Sequence, residues 1–439
     1  MTKKVTVWYR VLALVMMLIL LLPVLAACGD DDEGEITTPS STAPAATTHS
    51  ATTPVATTLA ATKPVATTPA ATTPKATPTL TVSNEPVKIG ILISWSGPAA
   101  KAGILVDQLL KIVDKQLEER GGINVGGVMR PVKWVKYDDQ TQVANAVAGY
   151  KKLVTQDKVS AVLFGGAVAA SLTATSDTAE ETHVPVFSVG STPVDLSNRP
   201  YTIRCVYPNA TDIAPVVTDF ALKQFKPKTA GILMAEMKDV RDRASVIKKI
   251  MEAAGVKIVY EQYAEITTSD FSPLLTRIKY ENPDVLFVDS GGGDAFFVAI
   301  QKQISALGGW GNIKFLGCST SSTGPALKEA GADGTYHWTM WVPGQTNPGA
   351  KAFEEIWTKQ YTETLTAGHV IIYYPFWTAI KAIEMAGSDK PEDIQKAARS
   401  GNFVWEDAPG GPLKINADGT KSMKGMVAFF KDGKLVPAQ

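Results

Sequence analysis

Cysteine and histidine are scarce in this chain. Its 439 residues include three cysteines and four histidines. Beyond Cys28 only Cys205 and Cys318 remain, which is no disulfide scaffold. They either pair or act as two buried, small apolar side chains. His183, His337 and His369 stand far apart in the part that can fold, so no clustered ligands and no metal site are expected. No phosphate-binding loop, no dinucleotide fingerprint after a strand and no nucleophile elbow occurs, so neither a catalytic residue nor a cofactor is assigned. Charge of one sign is not in excess, with 43 Lys and Arg against 43 Asp and Glu. That balance leaves no strong field for nucleic acid.

Long apolar runs are also missing, except at the start. Lys3, Lys4 and Arg10 precede an apolar run over 11–22, about the length of a signal peptide and short of the roughly 20 residues a spanning helix needs. Leu25-Ala26-Ala27-Cys28 follows. This resembles the lipobox of bacterial lipoproteins, which implies cleavage of residues 1–27 and acylation of Cys28. Residues 28–84 then read as a disordered linker. Asp30, Asp31, Asp32 and Glu33 open it, and Ala-Thr-Thr-Pro units ending at Pro54, Pro69 and Pro74 continue it. Such a tract has too little apolar surface to offset its ordering entropy and favours extended polyproline II.

From residue 85 onward short β-type runs alternate with amphipathic segments. Residues 87–94 predict a buried strand, and 103–120 carry Leu109, Leu110, Ile112, Val113 and Leu117 at helical spacing before Gly121-Gly122 stops the helix. Strands over 131–137, 161–164 and 185–188 and helices over 143–156 and 169–182 follow. The pattern restarts with a helix over 210–225 and continues to a strand over 314–317, with Ser272 as an N-cap before Pro273. Repeated β-α units predict parallel sheets covered by helices, and two series predict two lobes. Three helices, over 350–364, 371–386 and 391–400, come next. Asp432-Gly433 then marks a hairpin.

These segments together resemble the solute-binding proteins of ABC transporters, of the branched-chain amino-acid (Leu/Ile/Val) type. The resemblance rests on the opening Val87-Lys-Ile-Gly-Ile-Leu with Ser96-Gly97-Pro98, on Gly121-Gly-Ile-Asn124, Tyr137-Asp-Asp139 and Val184-Pro-Val-Phe-Ser188 with Ser191-Thr192, and on Asp270-Phe-Ser272 and Lys431-Asp-Gly-Lys434. It covers 86–439 in order. It implies the type I periplasmic binding fold: an α/β protein of two Rossmann-like lobes with parallel sheets, joined by a three-segment hinge. Lobe one would be 85–208 plus 344–422, and lobe two 209–343 plus 423–439. The crossings would fall near 205–209, 341–344 and 421–424. A ligand would lie between the lobes, at the carboxyl ends of the strands, and closure would be a hinge motion.

The resemblance also places ligand contacts. Trp95 and Ser96 follow the first strand, where Trp95 either stacks on a ligand or covers the lobe. Ala169, Ala170 and Ser171 open a helix whose free N–H groups suit a carboxylate. The family often has a hydroxyl near Ala169, and here Ser171 or the N–H groups alone would serve. Ser191 and Thr192 match ligand-contacting hydroxyls. In lobe two the chain departs from the family. Asp239 stands near the position of an aromatic, and Ser319 near that of the acid that pairs with an amino-acid ammonium. Either Asp239 or Asp294 replaces that acid, or the ligand has no ammonium. Gly291, in the one glycine cluster, either lets a ligand approach the backbone or forms a plain turn. Asp138 and Asp139 read as loop-ordering residues. A strand over 335–342 puts Trp338 and Trp341 on opposite faces, one in the core and the other a candidate for the cleft.

The expected role is capture of an amino acid or related small polar metabolite, a carboxylate or amide, outside the cytoplasm. The protein would be anchored to the membrane by lipidated Cys28. Its partners would be that solute and the ABC permease subunits, with no nucleic acid, and a monomer suits the role. The rivals are a ligand sensor of the same fold, a surface hydrolase built on one of the histidines, and an adhesive surface protein.

Overall fold

The computed structural model describes residues 81–189, 198–206, 210–291, 294–319, 324–419, 421–423 and 425–438. The leader, Cys28, the linker up to residue 80 and the pair Ser191 and Thr192 lie outside the described residues; the end of the expected linker is not irregular, because Thr81–Val82 form a strand paired with Val128 and Met129. The compact unit bounded by Ala76 and Gln439 carries its own hydrophobic cores.

In chain order the first elements are β1 (Thr81–Val82), β2 (Val87–Ile93), α1 (Ala100–Arg120), β3 (Ile123–Val125), β4 (Val128–Arg130), β5 (Val132–Asp138), α2 (Val143–Thr155), β6 (Ala161–Leu163), α3 (Ala169–Thr182), β7 (Val186–Ser188) and β8 (Thr202–Arg204). The second series is α4 (Ala210–Gln224), β9 (Thr229–Ala235), α5 (Lys238–Ala253), β10 (Lys257–Ala264), α6 (Ser272–Glu281), β11 (Val285–Asp289), α7 (Asp294–Ala306), β12 (Lys314–Gly317), α8 (Gly324–Glu329) and β13 (Tyr336–Thr339). The tail holds α9 (Pro348–Gln360), α10 (Ala367–Ala386), α11 (Pro391–Ala398), β14 (Phe403–Trp405), β15 (Leu413–Ile415), β16 (Lys421–Ser422), β17 (Met426–Lys431) and β18 (Lys434–Pro437).

The strands form where apolar runs are long enough to be buried on both faces. All of β11 is buried, and in β2 only Lys88 is not. Such strands belong inside parallel sheets covered by helices. One sheet has the order β5-β2-β6-β7-β8, with every pairing parallel. The other has the order β10-β9-β11-β12-β13-β17-β18, parallel up to β13 and antiparallel beyond it. The fold is therefore α/β with two lobes. Helix α10 packs on α1, β6 and β7 of the first lobe, and β17–β18 close the edge of the second sheet. Asp432 and Gly433 both hold positive φ in that hairpin, as a two-residue turn of this type requires.

Several local expectations need correction. Ser272 is not the cap of α6 but its first residue. Phe271 precedes it, and Asp270 Oδ1 accepts from the Ser272 N–H at 2.9 Å. Trp338 and Trp341 do not divide between core and cleft, because both are buried in one apolar cluster. The strand ends at Thr339, so simple alternation does not carry to Trp341. Two small sheets, β1-β4-β3 and β14-β15-β16, were not expected. Cys205 and Cys318 are both buried and unpaired. Burial pushes the Cys205 thiol up to about 12 and the Cys318 thiol well above the ordinary range.

Candidate functional site

In both sheets the first strand of the series lies between the second and the third. The chain thus reverses direction across the sheet between β2 and β6 in lobe one, and between β9 and β11 in lobe two. Loops diverge at such points and leave a crevice beyond the carboxyl ends of the strands.

In lobe one that crevice is rimmed by Trp95 and Ser96 on one side and the start of α3 on the other. Asp138 ties the first loop down. Its Oδ1 accepts from the N–H groups of Trp95 at 2.8 Å, Gln140 at 3.0 Å and Ser96 at 3.2 Å, and its Oδ2 accepts from the Ser96 hydroxyl at 2.6 Å. Partial burial works against the Asp138 charge, but these bonds outweigh it and hold the carboxyl below its ordinary range. The Ser96 hydroxyl is thus engaged within the protein. Trp95 is half-buried, with the Lys136 ammonium 5.5 Å from its ring centre. Asp139 is fully buried and accepts from the Ser94 hydroxyl and, at 2.9 Å, from the Thr141 N–H.

Across the crevice α3 starts after Val168, which makes no side-chain capping bond. Its first-turn N–H groups have no intrahelical acceptor, as at every helix start. Ala169 is its first residue, Ala170 is exposed and Ser171 is fully buried. Among the described residues, the Ser171 hydroxyl and Asp139 Oδ2 are both buried without a hydrogen-bond partner. They flank Gly166, where a β-carbon would stand 3.0 Å from Asp139 Oδ2 and 2.5 Å from Ser171 Cβ.

In lobe two, Asp239 lies exposed in the first turn of α5. Gly291 follows β11 and packs against Met237 from the facing loop. Beneath them Arg243 and Asp289 form a buried ion pair, and Asp289 Oδ1 also accepts from the Gly291 N–H at 2.9 Å. Burial opposes the Arg243 charge, but Asp289 outweighs it and Asp239 adds to the effect, so the guanidinium stays charged. Ser319 is buried after β12, with its hydroxyl 3.2 Å from that of Ser290. The two lobes meet electrostatically where Asp239 supports the charge of Arg204, against the burial that lowers it. The Asp294 side chain lies outside the described residues.

The histidines are placed elsewhere. His337 lies in the lobe-two core beside Phe297 and Phe315, and burial pushes it down to about 3. His369 joins the capping box of α10 with Thr366 and packs on Trp357. His183 ends α3 and stacks on Tyr201. Among the described residues no group of His, Cys, Asp and Glu is arranged to hold a metal ion.

The profile of the family described as periplasmic binding protein matches residues 86–434. The chain belongs to that family. A relative in Brucella suis, named Leu/Ile/Val-binding protein homolog 7, is 25% identical over 379 residues, spanning 80% of this chain and 90% of its own. The crystal structure of a leucine binding protein from Thermotoga maritima superposes with a TM-score of 0.65 at 21% identity, covering 80% of this chain and 98% of that one. An ABC-transporter solute binding protein from R. palustris, in complex with 4-hydroxybenzoate, superposes at 0.64 with 23% identity, covering 81% and 96%.

The protein is thus a solute-binding protein of extracytoplasmic type. No described helix is long and apolar enough to cross a membrane. Sequence reasoning for this family member missed Arg204, Arg243, Asp289 and Ser290. One signal was available. Arg243 follows Asp239 by four residues on one helix, the spacing of same-face charge pairs.

Proposed function

We propose that this protein is the solute-capturing component of an ABC importer, and that its solute is a small carboxylate without an α-ammonium group. The observation that carries the reading is the pairing of Ser319 with Ser290, where the amino-acid binders it resembles have an acid. Of the acids on this side, Asp289 is held by Arg243 in a buried ion pair, whereas Asp239 is exposed and adds to the charge of Arg204 and Arg243. A buried ammonium without an anion is costly, so this half of the crevice disfavours one. The start of α3 and the Ser171 hydroxyl offer donors for a carboxylate on the lobe-one side. An ABC-transporter solute binding protein of the same fold holds 4-hydroxybenzoate, which supports the reading, because that solute has a carboxylate and no amino group.

The lobes divide at the three expected crossings, of which residues 207–209 and 424 lie outside the described residues, and rotation about these crossings closes the crevice over the solute. Cys28 anchors the protein to the membrane through its acyl chains, and the permease receives the solute from the closed form. Cys28→Ser is expected to move the protein from the membrane to the soluble fraction.

The test of the solute class is a thermal-shift panel on Ala76–Gln439 with aliphatic and aromatic carboxylates, amides and amino acids. A solute at about 1,000 times its dissociation constant adds roughly 4 kcal/mol of stability. A shift with carboxylates alone supports the reading. A shift with amino acids alone overturns the solute class and turns attention to Asp239 as the ammonium partner.

A further inference from the structure

Lys421 opens β16, paired with Ile415 of β15, where the chain is about to pass from one lobe to the other. Lys421 is 1% exposed, and among the described residues its amine has no hydrogen-bond partner. The charged and titratable groups that face it come from both sides of the hinge. Arg204 and Cys205 lie at the end of β8 in lobe one, and Asp212 lies in the first turn of α4, a helix that packs on β13 and β17 of lobe two. The Cys205 thiol in turn donates to the Ile203 carbonyl at 3.7 Å.

A buried ammonium with no acceptor is one of the most costly groups a fold can hold. It persists only where surrounding structure leaves the side chain no exit, and here that structure comes from both sides of the crossing between the lobes. We infer that Lys421 links rotation of the lobes to the gain and loss of a proton, so that solute capture depends on pH. This rests on the solute-capture reading for its purpose, but not for its physics.

Burial pushes the amine down to about 7, with Asp212 and Cys205 acting against that push and Arg204 with it. Any rotation that lets water reach the amine returns it toward the ordinary lysine value, about 10.4. Between those values the opened form carries one proton more than the form described here. The ratio of opened to closed molecules then falls about tenfold for each unit of rising pH. High pH favours the closed form, and low pH favours release.

The test needs no solute. Small-angle scattering of Ala76–Gln439 from pH 6.5 to 9 reads the proportion of extended and compact molecules. The expected result is a shift toward the compact form as pH rises. That dependence should be absent in Lys421→Met, and Lys421→Arg, which stays charged, should be extended throughout. A native profile that is flat with pH, or a Lys421→Met profile that follows the native one, overturns the inference. If the native profile is flat while a solute still raises the melting temperature, the linkage fails and the capture reading stands. If the profile shifts but no solute binds, the reverse holds.

Discussion

Gly291 and Met237 share one space at the centre of the lobe-two crevice: a β-carbon on Gly291 would overlap the Met237 sulfur, and Gly291 holds a φ of +63°. The crevice floor is therefore set by a close approach that only glycine allows without strain. Gly291→Ala is expected to destabilise the protein by about 1–3 kcal/mol through overpacking and left-handed strain. Adding Met237→Ala should restore part of that loss. Thermal unfolding of the two variants checks it, and an unchanged melting temperature in Gly291→Ala would refute the contact.

The Arg243–Asp289 pair is buried, so removing one member strands the other. Arg243→Met should cost about 3–5 kcal/mol. The double variant Arg243→Met with Asp289→Leu should cost less than the sum of the two single changes, because neither leaves an uncompensated charge. Denaturant unfolding of the three variants measures the coupling. Strict additivity would mean the pair is not joined.

Ser171 offers a different separation. Its hydroxyl is buried without a partner among the described residues, so Ser171→Ala should leave stability within about 1 kcal/mol of the native value. If the hydroxyl serves the solute, affinity falls about tenfold or more in the same variant. If the N–H groups of α3 act alone, affinity is unchanged. Melting temperature and calorimetric titration, read together, decide between them.

Lys421 also sets a stability profile. Its folded value of about 7 lies below the ordinary 10.5. Between those values the unfolded chain holds the proton and the folded chain does not, so stability rises with pH by up to about 1.4 kcal/mol per unit. Below pH 7 both states are protonated and the contribution is constant. Lys421→Met should remove the slope and stabilise the protein most at pH 7 and below. Chemical unfolding at pH 6.5, 7.5 and 8.5 tests both parts.

The α/β frame was legible because buried strands such as β2, β9 and β11 write themselves as apolar runs, and helices write their periodicity between them. The three-residue strands β3, β14 and β15 were not, since strands that short are specified by what they pack against. The serine at 319 was visible as a departure from a resembled pattern. Its pairing with Ser290 was not, and neither was the ion pair between Arg243 and Asp289, 46 residues apart in sequence. Those pairs join a helix to a strand, or one strand end to the next, and no local spacing encodes them. Both tryptophans proved to be core because the strand stops at Thr339, which alternation alone cannot foresee.

Calorimetric titration with matched pairs decides whether the crevice takes a carboxylate without an ammonium. Leucine is set against 4-methylpentanoate, phenylalanine against 3-phenylpropanoate, and 4-hydroxyphenylglycine against 4-hydroxyphenylacetate, on native Ala76–Gln439 and on Ser319→Asp. The amino-free member of at least one pair is expected to bind the native protein about ten times more tightly or better, and Ser319→Asp to narrow or reverse the ratio. Tighter binding of the amino acid in every pair, unaltered by Ser319→Asp, would contradict this.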